Sequence, residues 1–455
     1  MSKDNIGWNL VNEAEKREIM AFSEQYKSFI NEVRTEREAV KFFRSIAETR
    51  GYKDMPETIE AGGKYYIIKN GKAIALINLT SSPLSEFRIL AAHMDSPRLD
   101  VKPSPLEEDK DSHFVLMKTH YYGGIKKYQW FSRPLSLHGI IVTKDGRKVE
   151  VKIGDNMGDP VFSIPDLLPH LSKKEQGDKK LLEGFEGEKM EILVSHIPEK
   201  DGKEEPFKKQ LLSILKDRYG MEEDDFYSAD LEVVPAEGPR DVGFDRALIG
   251  AYGQDDKICA YSTTMALLDS KPTGNSIVIL FDKEEIGSDG NVGAQSNFLE
   301  FVLVTLLERI GAKYTYGNLL ELMQRSKVIS ADVGAVVNPL FKNVHDLNNA
   351  GKAGNGILIM KYTGSGGKYS ASEAQAELIA EIRKVLDEKR VIYQFGLLGK
   401  VDEGGGGTVA RYLSSYGFSV IDMGPGLMSM HSPFELVSKI DLWSSYKAYR
   451  AILES

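Results

Sequence analysis

Six positions in this chain carry side chains that can hold a cation or move a proton: His93, Asp255 or Asp256, Glu284, Glu285, Asp332 and His431. They come from separate stretches, yet each falls where the open edge of a sheet would gather them. Imidazole and carboxylate donors without thiolates suit zinc, cobalt or manganese at a catalytic rather than a structural site. Cys259 is the only cysteine, which excludes an internal disulfide and a cysteine-based zinc site within one chain. With one carboxylate shared, such a set would hold two divalent ions about 3.5–4 Å apart, close enough to clamp one water.

Each residue alone also fits an ordinary role. A histidine after a strand is commonly a surface residue, Asp255-Asp256 could cap a helix, and Asp332 could cap a loop. The agreement of placements favours a joint metal site, because independent loop residues have no reason to fall at the ends of consecutive buried strands.

The stretch from Asn275 to Ser288 organises the set. Ile277 to Phe281 is an apolar, mostly β-branched run, as expected of a strand buried on both faces of a parallel sheet. It runs into Asp282, Glu284 and Glu285. Adjacent carboxylates at the mouth of a buried strand are costly unless a cation or proton offsets their charge. On an extended backbone the two glutamates would point to opposite sides, one toward a metal and the other toward a reacting water.

The elements that must position these groups can be read in order. Ala14 to Val33 has helical spacing, with Ile19, Phe22, Tyr26, Phe29 and Ile30 on one side. Thr35-x-x-Glu38 predicts a capping box at the start of a second helix ended by Gly51. Asn70-Gly71 predicts a hairpin between Tyr65–Lys69 and Lys72–Leu79, and Arg88 to His93 a short buried strand. From about Val101 to Asp245 the pattern turns β-rich, with strands at Leu135–Thr143 and Lys148–Ile153, a charged loop from Ser172 to Lys189 and a helix from Pro206 to Tyr219.

The α/β pattern resumes at Leu248, with helices over Lys257–Leu268 and Gln295–Ile310 and strands over Lys327–Asp332, Ile357–Tyr362 and Phe418–Met423. Ser370-x-x-Glu373 predicts a helix start, and a last helix runs from Ser438. These patterns imply a three-layer α/β sandwich with a mixed, largely parallel sheet, over residues 1–100 and 246–455, carrying an inserted β-rich domain over 101–245. Ligands of such sheets gather beyond the carboxyl ends of the strands.

With 455 residues the chain exceeds the size at which one core keeps growing, so two domains are expected. A net charge of -9 without any Lys/Arg-rich run argues against nucleic acid as a partner. Met1 to Glu18 has no apolar signal region, and no stretch is long and apolar enough to cross a bilayer, so the expectation is a cytoplasmic protein with no membrane partner.

Taken together, His93-x-Asp95-Ser96-Pro97, Asp282-x-Glu284-Glu285-x-Gly287-Ser288, Ser330-Ala-Asp332 and Met430-His431-Ser432-x-x-Glu435 resemble the aspartyl aminopeptidase and vacuolar aminopeptidase I family of dinuclear zinc metallopeptidases. Tyr122-Gly-Gly124 and Trp130-Phe131-x-Arg133-Pro134-Leu135-x-Leu137, inside the insert, resemble it too. The resemblance implies a metal held by His93, Asp255 and Asp332, a second held by Asp255, Glu285 and His431, and Glu284 as general acid/base. Asp95 would fix the imidazole tautomer of His93. The implied reaction is hydrolysis of the N-terminal peptide bond of a peptide with a free amino terminus, by a metal-activated water.

The same resemblance implies a tetrahedral dodecamer, with the inserted domain making dimer contacts and His170 lent to a partner's site. Lys361 matches a lysine that meets the substrate side chain, but the residues after it are here Gly364-Ser-Gly-Gly367. Many family members have Asp-Asn at Asp255-Asp256, and the family's His-Pro is here Asn338-Pro339. The competing readings are a dinuclear deacylase or carboxypeptidase, and a shell protein that has lost the chemistry.

Overall fold

The computed structural model describes residues 6–80, 85–311 and 315–455. The chain divides into two compact units, one of Met1–Ser96, Pro239–Met430 and Phe434–Ser455, the other of Pro97–Gly238 and His431–Pro433.

The first unit begins with the helix Glu13–Glu32, started by an Asn12–Glu15 capping box, and buries Ile19, Phe22, Tyr26, Phe29 and Ile30 along one side. The next helix, Glu36–Thr49, starts with the Thr35–Glu38 box that the sequence predicts. Asn70 and Gly71 take φ of 52° and 67°, the left-handed geometry of a tight hairpin, between the strands Lys64–Lys69 and Ala73–Asn78.

Among the described residues the main sheet has nine strands. Their order is Lys53–Asp54, Lys64–Lys69, Ala73–Asn78, Ser276–Phe281, Arg88–His93, Lys327–Ser330, Ser419–Gly424, Ile357–Met360 and Tyr393–Phe395. The four strands from Ser276–Phe281 to Ser419–Gly424 run parallel, with Phe281 opposite His93 and Ser330 opposite both Ala91 and Asp422. Ala73–Asn78 and Ile357–Met360 flank them antiparallel, so the sheet is mixed.

Strand residues alternate between two cores. Leu90, Ala92, Val278 and Leu280 pack with Phe29, Ile258 and Tyr449, whereas Ile89, Ala91, Ile277 and Ile279 pack with Phe298, Val302 and Leu413. Apolar burial on both faces explains why these strands read as unbroken hydrophobic runs. A separate five-stranded sheet, Arg240–Val242, Leu248–Ala251, Glu435–Ser438, Gly426–Met428 and Gly334–Ala335, has no counterpart in the sequence reading; its strands have only two to four residues each.

Two helix starts depart from expectation. The Ser370–Glu373 box does not form, and the helix begins at Ala376. Ser370 has φ of 60° and Glu373 pairs with Lys368 in the preceding loop, so neither residue of the box caps the helix. The helix expected from Gln295 begins at Phe298; the Gln295 and Ser296 backbone N–H groups donate to the Ser288 and Gly293 carbonyls in the loop before it.

The second unit is built on a six-stranded antiparallel sheet ordered Lys148–Ile153, Leu135–Val142, Ala229–Pro235, Arg98–Asp109, Phe114–Tyr122 and Ile192–Ser195. Its helix Pro206–Tyr219 starts with proline in the first turn and stops at Gly220, φ 65°. The segment expected as a charged loop contains short helical turns at Lys173–Gly177, Leu181–Gly184 and Gly187–Lys189. No helix among the described residues is long and apolar enough to cross a membrane.

Candidate metal centre

His93 ends a central parallel strand and is 1% exposed. Its Nδ1 lies 3.1 Å from Asp95 Oδ1, and its Nε2 lies 3.3 Å from Asp255 Oδ1 and 3.9 Å from Glu284 Oε2. A proton on Nδ1 shared with Asp95 leaves Nε2 to face the acids, the tautomer a metal ligand needs. Burial would lower the imidazole pKa, but the neighbouring Asp255, Asp95 and Glu284 outweigh it and hold His93 well above the ordinary value.

Asp255 and Asp256 stand at the head of the helix Gln254–Asp269, where their backbone angles break from helical values and their peptide bond is cis. The Asp255 carbonyl accepts the Ser96 hydroxyl at 2.6 Å, and the buried Lys257 ammonium donates to Ser96 at 2.7 Å. The Asp255 N–H donates to Glu435 Oε2 at 3.0 Å. Two side chains from distant stretches, Ser96 and Glu435, therefore hold the turn that presents this acid pair, with Lys257 bracing Ser96.

Glu284 and Glu285 do not continue the strand. Lys283 takes φ of 67°, Glu284–Ile286 forms a 3-10 turn, and Gly287 follows at φ 97°. The expectation that alternation along an extended backbone separates the two acids is therefore wrong. The turn is set instead by Asp95, whose Oδ1 accepts the Glu284 N–H and whose Oδ2 accepts the Glu285 N–H, each at 3.1 Å.

Asp332 lies two residues beyond the strand Lys327–Ser330 and is 6% exposed. His93, Asp256 and Asp332 form one group, and His93, Asp255 and Glu285 a second, each with donor atoms within 4.8 Å of one another. Burial, followed by the neighbouring charge of Asp332, pushes the Asp256 carboxyl well above its ordinary value. Burial also raises Asp332, where His93 acts in the opposite direction and Glu284, Asp255 and Asp422 add to the rise. Asp256 Oδ1 is buried without a hydrogen-bond partner among the described residues. Crowded carboxylates, an imidazole and an orphaned oxygen are the donor set a divalent cation satisfies, so these residues fit zinc.

Neither group includes the remaining candidates. His431 belongs to the second unit, its Nδ1 3.0 Å from the Gly124 carbonyl. His170 is exposed on the short helix Pro169–Ser172 of that unit. Lys361 is exposed just past the strand Ile357–Met360, with no ion pair to another described residue. Sequence reading assigned no role to Lys257, Glu435 or Asp422; a charged residue inside an otherwise apolar strand or helix start is the signal that marks each.

Residues 29–453 match the peptidase family described as aminopeptidase I zinc metalloprotease (M18). The chain is 48% identical over 450 residues to a probable M18 family aminopeptidase 1 of Thermotoga maritima, covering 98% of each chain. The crystal structure of an M18 family aminopeptidase from Thermotoga maritima superposes with a TM-score of 0.96 at 47% identity, covering 100% of both chains. The S. cerevisiae mApe1 dodecamer structure shares the fold, with a TM-score of 0.76 at 22% identity, over 94% of this chain and 95% of that one. Together with the clustered donors around His93, the match over almost the whole length establishes that the chain belongs to the M18 family of zinc aminopeptidases.

Proposed function

We propose that the chain removes N-terminal residues from peptides at a dinuclear zinc site in which His93, Asp255, Glu285, Asp332 and His431 are the ligands. The grouping of His93 with Asp255 and Glu285, and of His93 with Asp256 and Asp332, carries this reading. His431 joins the set from its motif, and Asp256 is the alternative to Asp255 as the shared carboxylate. Bound zinc supplies Lewis acidity, polarising the scissile carbonyl and lowering the pKa of a water.

Glu284 supplies the proton transfer. Its carboxylate, with Oε2 facing His93 Nε2 at 3.9 Å, takes a proton from the attacking water and delivers it to the leaving nitrogen. Asp95 holds the Glu284 and Glu285 amides and the His93 ring at once, so the proton carrier and two ligands share one support. Lys361 and His170 are substrate contacts in this scheme.

The flanking architecture is read as a three-layer catalytic domain over 1–100 and 246–455 with an inserted dimerisation domain over 101–245. Exposed Leu167, Leu168, Leu171, Leu181 and Leu182 in the second unit support a surface that a second copy covers, in a homo-oligomer of dodecameric type. The cytoplasm is the proposed compartment.

The test is a matched panel of peptides with free and N-acetylated termini, assayed on zinc-loaded enzyme. Cleavage of free-amine peptides alone is the expected result. Equal cleavage of both sets would shift the assignment to a deacylase or another amide hydrolase, and release of C-terminal residues to a carboxypeptidase.

A further inference from the structure

Asp422 is a carboxylate buried in the central strand Ser419–Gly424, where an apolar side chain would be expected. Its two oxygens are divided between two loops. Oδ2 accepts the Ser372 hydroxyl and Oδ1 the Thr408 hydroxyl, each at 2.6 Å. Ser372 closes the loop that follows Lys361, through the Thr363 N–H to its carbonyl at 3.2 Å and a hydroxyl contact with Thr363 at 3.0 Å. Thr408 closes the second loop, Gly404 to Gly407.

The two loops are also joined directly, by the Gly364 N–H donating to the Gly406 carbonyl at 2.7 Å. The approach is too close for side chains: a Cβ on Gly405, φ 157°, would lie 2.1 Å from the Gly364 oxygen. A Cβ on Gly364, φ 97°, would lie 2.7 Å from the Tyr369 oxygen. Glycine is required there by the backbone contact itself. Gly366, Gly367 and Gly404 to Gly407 are exposed and offer main chain alone, with Tyr369 exposed in the same loop as the first two.

This pair stands beside the metal centre on two sides. Asp422 pairs across the sheet with Ser330, two residues before Asp332, and a Cβ on Gly424 would lie 2.1 Å from the Asp332 carbonyl oxygen. On the other side Thr408 leads into the helix Ala410–Ser415, and Tyr412 on that helix donates its hydroxyl to the Gly287 carbonyl at 3.0 Å. Gly287 ends the Glu284–Ile286 turn.

We propose that Asp422 is a positioning residue that docks the paired glycine loops, 363–372 and 404–408, as one wall of the peptide-binding cleft, a wall that grips substrate main chain. The inference rests on the aminopeptidase reading. Its consequence is that loss of the anchor weakens substrate binding while leaving the chemical step intact, and does so whatever the first side chain is.

The experiment compares zinc-loaded wild type with Ser372→Ala, Thr408→Val and the double variant, on peptides beginning with Asp, Leu or Ala. It records kcat, KM, zinc content and hydrogen exchange over 363–372 and 402–408. Ser23→Ala, which removes the buried Ser23–Ile19 hydroxyl bond of the first helix, controls for general loosening. The double variant is expected to raise KM about tenfold on all three peptides, with kcat and zinc content within about twofold, and to speed exchange in both loops together. Asp422→Asn, whose amide can still accept from one hydroxyl and donate to the other, is expected to stay near wild type.

Unchanged KM alongside faster loop exchange would overturn the proposal, as would loss of kcat together with zinc. A KM rise confined to Asp-terminated peptides would overturn the main-chain wall and point to Lys361. Failure of the wild type to release any N-terminal residue would count against the aminopeptidase reading, while the exchange data would still decide whether Asp422 anchors both loops.

Discussion

The Asp95 carboxylate accepts the backbone N–H of Glu285 at 3.1 Å, and with its other oxygen accepts the N–H of Glu284 while facing the His93 ring. One side chain thus fixes the His93 imidazole and the backbone of the turn that bears Glu284 and Glu285. Asp95→Ala is expected to lower zinc affinity about 10–100-fold, measured by competition with a chelator. Unaltered affinity would mean that the turn is held by Lys283 and Gly287 alone.

Glu284→Gln retains shape and the backbone bonds but removes the proposed base. Turnover is expected to fall by about 10²–10⁴, with zinc content and melting temperature unchanged. A variant that loses zinc in parallel with activity would instead make Glu284 a ligand.

Zinc removal leaves His93 among Asp255, Asp256, Glu285 and Asp332 with their mutual repulsion uncompensated. Chelation is expected to lower stability by about 3 kcal/mol relative to protein held at roughly a hundredfold excess of zinc over its Kd. Calorimetry with and without added zinc checks this, and equal melting temperatures would count against a native-state metal.

Asp241 gives a prediction away from the site. Burial alone would raise its carboxyl, but Lys27 at 2.8 Å, Lys439 at 2.9 Å and Arg246 at 2.8 Å outweigh burial and hold the pKa at about 2, below the ordinary 3.8. A folded-state pKa below the unfolded one gives stability that is present above about pH 4 and lost as pH falls toward 2. Asp241→Asn should therefore be less stable than wild type at pH 6, with the gap closing by pH 2 in urea titrations. A gap that stays constant across that range would remove the charge from the explanation.

Thr35→Ala deletes the side-chain half of a capping box whose hydroxyl accepts the Glu38 N–H at 3.2 Å. A loss of about 1 kcal/mol is expected, read by denaturant unfolding of the zinc-free protein. No measurable loss would mean that Glu38 caps the helix unaided.

Local rules carried far in this chain. The Thr35 box, the Asn70-Gly71 hairpin, the strand Arg88–His93 and the helix Pro206–Tyr219 all form where short-range patterns place them. The Ser370 box satisfies the same rule and fails: Ser370 takes φ of 60° and Glu373 pairs with Lys368. Glu284 and Glu285 were legible as a pair of acids after a strand, but the turn that aims them depends on Asp95, 189 and 190 positions away.

By itself the sequence determined which residue types meet at the strand ends, since burial on both faces writes the parallel strands as apolar runs and leaves the donors immediately after them. It also excluded an internal disulfide, from a single cysteine. Only the tertiary structure decided how those donors are aimed. Asp95, Ser96, Lys257 and Glu435 orient the acids through hydrogen bonds spanning more than a hundred positions, and such bonds leave no local pattern. The division of the Asp422 oxygens between two glycine loops belongs to the same class, because a carboxylate's partners are chosen by the folded chain around it.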